Sequence, residues 1–180
     1  MIIVPGVIHQ QSWYIATSIP GNYLVSTCET GYSNDVLTID WLVHFEKFSA
    51  KRQTGTYRLL LLDRFDSHYT KQFINCCNNH KIVVFCLPPH SCHLLQPLDV
   101  VVFQPYKHYN AEAVEAATRM GCGDFDWIEF LDQIDSIHQQ TFKLSTIQSA
   151  FRATCPIPYD PSILISKLRE AVPTTPPRSL

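Results

Sequence analysis

The chain is predicted to be an α/β protein built around a parallel strand pair, and three observations predict it. Arg58-Leu59-Leu60-Leu61-Leu62-Asp63 is an apolar run ended by an acid, which reads as a central strand buried on both faces. Lys81 to Leu87 is a second apolar run, rich in β-branched and aromatic residues. Between them Tyr69 to His80 carries Phe73, Ile74 and Cys77 at helical spacing. A strand, a helix and a strand over so short a distance imply a βαβ unit with a right-handed crossover.

The remaining elements follow in order. Met1 to Ile8 reads as a strand, Pro20-Gly21-Asn22 as a turn, and Tyr23 to Thr27 as a second short strand. Ser33, Asn34 or Asp35 can cap the next helix, in which Leu37, Trp41, His44-Phe45 and Phe48 recur every three or four residues, and Gly55 can stop it. Pro88-Pro89 must end the Lys81 to Leu87 strand, because proline donates no ladder hydrogen bond. Pro97 suits a first helical turn, so a helix starting around Gln96 to Leu98 would carry Asp99 in that turn. Beyond Gly121-Cys122-Gly123 the pattern becomes acidic and helical. Trp127, Phe130-Leu131, Ile134 and Ile137-His138 mark one amphipathic helix, and Ser145 to Ala153 a second with Ser145 as its cap. Pro156 to Pro161 reads as a rigid turn, Ser162 to Ala171 as a last helix, and 172–180 as a disordered tail.

Composition bounds the function. With 180 residues, 46% hydrophobic and 17% charged, the chain can bury one sizeable core. A net charge of −2 gives no global attraction to nucleic acid, so such a role must rest on local patches or metal ions. Seven cysteines without a framework spacing point to reduced thiols in an intracellular compartment. The opening MIIVPGVI lacks a basic leader and is too short to span a bilayer, so no membrane partner is expected.

Asp63 ends one strand, and the Pro88 to Asp99 loop leaves the carboxyl end of its parallel neighbour, the edge at which open α/β sheets build sites. Both carboxylates can face one crevice, where they repel unless a cation lies between them. Mg²⁺ or Mn²⁺, hard ions that prefer oxygen ligands, are the natural counterparts. Such a pair of ions activates a water or a 3′-hydroxyl and stabilises the leaving oxygen of a phosphodiester, chemistry that usually takes a third carboxylate. The structural alternative for Asp63 is a strand-end acid capping a Ser67 or His68 turn; for Asp99 it is a helix-start charge favoured by the dipole. His68, His90 and His93 read as groups that orient the loop rather than as direct ligands. Cys86, His90, Cys92 and His93 match no standard zinc spacing, and Cys76-Cys77 reads as core filling. Lys107 and His108, beside Tyr106 and Tyr109, could touch a DNA backbone, or form a solvated helix face.

These residues carry a family likeness. RLLLLDRFDSHYTKQF and VVFCLPPHSCHLLQPLDVVVF resemble the DDE superfamily endonuclease core of the pogo, Tigger and jerky-type transposases, relatives of mariner elements. The second motif, Leu-Pro-Pro-His-(Ser/Thr)-(Ser/Thr)-His-x-Leu-Gln-Pro-Leu-Asp, is nearly complete from Leu87 to Asp99, Gln96 included; the first survives as Asp63, Ser67 and His68. SIPGNYLVSTCETGYSNDVLTIDWLVHFEKF and IQSAFRATCPIPYDPSILISKL resemble flanking family segments, so the likeness runs from Ile2 to Leu168.

The resemblance implies an RNase H-like mixed sheet with flanking helices and a metal-dependent transposase working on DNA in the nucleus. It makes Asp63 the second and Asp99 the third acid of the triad, holding Mg²⁺ or Mn²⁺, with Ser67, His68, His90, His93 and Gln96 around them and Lys107 and His108 toward nucleic acid. The family's first acid lies on the first strand of the fold, upstream of the segment matching Met1 to Ile8, and Glu29, Asp35 and Asp40 are poor substitutes. Arg64, Phe65 and Asp66 depart from the residues usual after the second acid, and Cys155-Pro156 from a Thr-Gly-Ile turn. The expected organisation is a partial core over 1–118, a helical extension over 119–171 and the tail. The expected function is an ancestral DNA strand cleavage and transfer domain, inactive alone, or alternatively a non-catalytic, co-opted DNA- or protein-binding module. A homo-oligomer formed through an exposed sheet edge is the expected self-partner.

Overall fold

The computed structural model describes residues 1–63, 70–154 and 157–171. Arg64 to Tyr69, which include Ser67 and His68, lie outside the described residues, as do Cys155-Pro156 and 172–180. The chain is mixed α/β, but the expected single mixed sheet takes the form of two separate parallel strand pairs among the described residues.

The first pair joins β1 (Ile2–Pro5) to β2 (Val25–Cys28), with Ile2 opposite Val25. β1 stops well short of Ile8 because Gly6 takes φ +127°, a conformation L side chains rarely adopt, while its N–H still bonds the Cys28 carbonyl at 2.9 Å. A short helix unforeseen in the sequence, α1 (Gln11–Ile15), follows. The long helix α2 (Asp35–Ser49) starts as expected, with the Asn34 side chain accepting from the Leu37 N–H at 2.9 Å. It continues as a 3₁₀ turn over Ala50–Arg52, ending at the polar segment that precedes Gly55.

The second pair is the predicted βαβ unit, comprising β3 (Arg58–Leu62), α3 (Lys71–Asn79) and β4 (Ile82–Cys86), the strands parallel with Leu60 opposite Val84. Side chains alternate across a strand. The inner row, Leu60, Leu62 and Val84, packs on a core of Leu42, Phe73, Cys77 and Ile82. The outer row differs from expectation: Leu59 is 59% exposed and pairs with exposed Val83, while exposed Phe85 lies opposite Leu61. β3 is therefore covered on one face only, because no described element lies over the other. Burial pushes the Cys77 thiol up to about 11, as befits a core-filling cysteine.

After β4 the chain forms a short helix α4 (Cys92–Leu95), a π-helical turn over Leu98–Val102 and the long α5 (Phe103–Arg119). α6 (Trp127–Thr141) begins on a capping box, Asp126 bonding the Ile128 N–H and Glu129 bonding the Asp126 N–H. Its buried Leu131, Ile134 and Ile137 face α5 and α1. α7 (Leu144–Ala153) follows Lys143, so the expected Ser145 cap is not used; it packs on the π-helical turn. α8 (Pro161–Ala171) closes the chain.

A polar knot ties α6 to the first strand pair. The Tyr23 hydroxyl lies 2.7 Å from His138 Nδ1 and donates to Asp135 at 3.2 Å, with the two rings stacked 5.6 Å apart. Burial, then Asp135, pushes the Tyr23 hydroxyl up to about 12. Burial holds His138 below its ordinary 6.5, against the pull of Asp135. Unfolded His138 accepts a proton near 6.5 while the folded ring resists it. Its contribution to stability is therefore complete above 6.5 and is lost as pH falls from there toward the lower folded value. The expected result is a melting temperature that drops as pH falls below 6.5, and drops less in His138→Phe. His44, also lowered by burial, leaves a residual fall in the variant.

Candidate functional site

The candidate site sits where β3 and β4 end side by side. The Leu87 N–H donates to the Leu62 carbonyl at 2.8 Å, extending the ladder by one residue past the end of β4. On one strand Asp63 comes next; on the other, Pro88-Pro89 forbid further pairing. The break turns sharply. Ser91 Oγ donates to the Pro88 carbonyl at 2.7 Å, and His90 takes φ +59°. α4 then returns the chain, the Gln96 N–H bonding the Cys92 carbonyl, and Pro97 opens the π-helical turn that carries Asp99. Val102, the buried residue of that turn, anchors it.

The two acids line adjoining cavities rather than a common one. Asp63 opens on a slot of about 400 Å³ between the two strand pairs, walled by Met1 and Ile3 of β1, by Leu60, Leu61 and Leu62, and by Trp41, Gln96 and Leu98. Three consecutive residues of a strand can line one space only if its hydrogen-bonding edge faces that space, since its side chains alternate between faces. The free edge of β3 therefore looks into the slot. Gln96 Oε1 is buried there without a hydrogen-bond partner among the described residues. Asp99 lines a neighbouring depression of about 590 Å³ with His90, Cys92, His93 and Val100. The structure thus brings Asp63 together with Gln96, and Asp99 together with His90 and His93. Leu98 and Asp99 face different cavities although they are adjacent in sequence.

The fit to a divalent cation is incomplete. Among the described residues no group of three or more His, Cys, Asp or Glu side chains is arranged to hold a metal ion. Ser67 and His68 lie outside the described residues.

Lys107 and His108 are exposed on α5, and His108 Nε2 lies 3.5 Å from Glu112 one turn on. The two side chains are i,i+4 neighbours on a solvent-exposed helix face. Sequence reasoning passed over a more concentrated surface at the end of α2, where Trp41, His44, Phe48 and Arg52 line a groove. Their three- and four-residue spacing was the available signal, but it reads equally as a core stripe.

A family model described as DDE superfamily endonuclease matches residues 1–151. The MFS-type transporter clz9 of Cochliobolus lunatus is 31% identical over 167 residues, which is 93% of this chain and 18% of that protein. The chain thus spans under a fifth of the length of that curated relative. No solved structure matches. No helix among the described residues is long and apolar enough to cross a membrane.

Proposed function

The chain belongs to the DDE superfamily endonuclease family, and from that premise we propose that it carries a pogo- or Tigger-like transposase core with an RNase H-like ancestry. In this reading Asp63 and Asp99 are two acids of a site for DNA strand cleavage and transfer in the nucleus. The observation that carries it is the pairing of β3 with β4, which hangs Asp63 and the Pro88 to Asp99 turn from neighbouring carboxyl ends of parallel strands. Mg²⁺ accepts one or two carboxylates together with substrate phosphates. Bound there, it would supply an activated oxygen nucleophile and stabilise the leaving oxygen. The chain's own part is to present the two carboxylates on fixed strand ends, with His90 and His93 beside Asp99 and Gln96 beside Asp63.

A specific observation favours a second reading, a non-catalytic DNA- or protein-binding module: the carboxylates line separate cavities, and among the described residues no group of three or more His, Cys, Asp or Glu side chains is arranged to hold a metal ion. Both readings make this 180-residue chain inactive by itself. The expected result is no nicking of supercoiled plasmid in Mg²⁺ or Mn²⁺; robust nicking that Asp63→Ala and Asp99→Ala each abolish would overturn it. The readings part on metal binding. If Asp63 and Asp99 keep their ancestral role, Mn²⁺ should broaden the amide resonances around both acids first, and each alanine variant should weaken that effect. Broadening confined to the acidic surface of α6 would sink the metal-ligand reading.

The β3 edge looks into the slot, so the support for self-association comes from the outer face of the strand pair, where Leu59, Val83 and Phe85 are exposed. Sedimentation velocity is expected to give a species heavier than the 20.6 kDa chain, shifted back toward it by Val83→Lys with Phe85→Glu. A monomer at all concentrations would remove this part of the proposal.

A further inference from the structure

The C-terminal end of α2 gathers aromatic rings and positive charge in one place, apart from both carboxylates. Its groove, about 370 Å³, lies within the range of small-ligand sites and is lined by Trp41, His44, Phe45, Phe48 and Arg52, with Asn22 opposite. Trp41 stacks on Phe45 at 5.3 Å, and His44 leans on Phe48 at 4.8 Å. Phe48 is 42% exposed, so part of its ring is left uncovered.

The charge here has one sign. Lys47, Lys51 and Arg52 fall within six residues and are all exposed. Among the described residues none of the three is in an ion pair, and Lys47 Nζ lies 5.5 Å over the Phe48 ring. Glu46, the acid in this stretch, is taken up by Arg58 and His80, while Asp35 and Asp40 lie in the first half of α2. Burial holds His44 below its ordinary value, so at neutral pH it offers a ring rather than a charge.

We propose that this groove binds an unpaired stretch of single-stranded DNA, one base stacking on the uncovered part of the Phe48 ring with the tilted His44 ring at its edge, while Lys47, Lys51 and Arg52 hold the flanking phosphates. Aromatic faces beside cations are how sequence-tolerant single-strand sites are built; a duplex keeps its bases stacked inside and cannot use the rings. An acidic peptide would use the cations but not the rings. Trp41 lines both this groove and the slot containing Asp63, so one side chain stands between the two spaces. The inference rests on the nucleic-acid reading above and deepens it.

The test is fluorescence anisotropy of the full chain in EDTA, with labelled oligo-dT, an abasic strand of equal length, and a duplex. Oligo-dT is expected to bind about 5- to 10-fold more tightly than the abasic strand, the effect of one stacked base. Phe48→Leu should remove that advantage and Phe48→Tyr should keep it, which separates stacking from packing. Arg52→Ala should weaken both strands and lower the salt slope by about 0.7, one phosphate contact. Equal affinity for the dT and abasic strands, the same response to leucine and tyrosine, or equal displacement by polyglutamate would overturn the inference. Duplex binding untouched by these variants, without oligo-dT binding, would sink this inference and leave the DNA reading standing. Binding of neither would sink both.

Discussion

Arg58→Leu is expected to lower the melting temperature by about 6–12 °C, from a loss of about 3 kcal/mol and a slope of about 2–4 °C per kcal/mol in chains of this size. Arg58 opens β3, but its guanidinium works sideways. It pairs with Glu46 on α2, with side-chain exposures of 12% and 21%, donates to Ser49 Oγ at 2.7 Å, and donates to the His80 carbonyl at the end of α3, also at 2.7 Å. Three elements meet on one side chain. Removing it leaves the mostly covered Glu46 carboxylate with His80 Nδ1, at 3.4 Å, as its remaining partner among the described residues, and that poorly compensated charge supplies most of the cost. The discriminating measurement is a double-mutant cycle. Arg58→Leu with Glu46→Leu is expected to recover most of the loss, because the orphaned charge leaves with its partner. A double variant no better than the single would locate the cost in packing instead.

Phe73→Ala is expected to cost about 4 kcal/mol, or about 8–16 °C in melting temperature, with the denaturant m-value unchanged. Phe73 is fully buried at the centre of the α3 face and packs with Leu42 of α2 and Ile82 of β4. The site has few ways to collapse, because the helices and strands around it are held by their own hydrogen bonds. Phe73→Leu, which keeps most of the volume, should cost about 1–1.5 kcal/mol. A loss below about 1 kcal/mol for the alanine variant would mean that this cluster is not the main core.

The βαβ unit was legible because two independent periodicities agree within a few dozen residues: continuous apolar runs for the strands and Phe73, Ile74 and Cys77 for the helix between them. The start of α2 was legible for a local reason, since the Asn34 side chain caps through bonds within one turn. What escaped depends on neighbours. Nothing in Leu59-Leu60-Leu61-Leu62 tells which row is covered, because that is decided by what lies over the sheet. Ser145 lost its capping role to the backbone at Lys143, a shift of two residues that propensity does not resolve. The Pro97 helix start was nearly right, but the chain makes a separate short helix first and then widens into a π-helical turn. For the site, Asp63 directly follows β3 and Asp99 lies in the π-helical turn after the loop that leaves β4, whereas the cavity each faces depends on side-chain directions at Gln96 and Leu98 that spacing alone does not fix.

The contiguity of residues 58–86 bears on the order in which the molecule assembles. β3, α3 and β4 are consecutive, and Arg58, Phe73 and Ile82 join them through contacts between neighbours in sequence. Short loops close at low entropic cost, so this unit can form before the Tyr23 to His138 knot, whose partners are more than a hundred positions apart. The ends of β3 and β4, and with them Asp63 and the prolines before Asp99, would then be set early. The later steps would bring β1, β2 and α6 to a carboxylate edge that already exists.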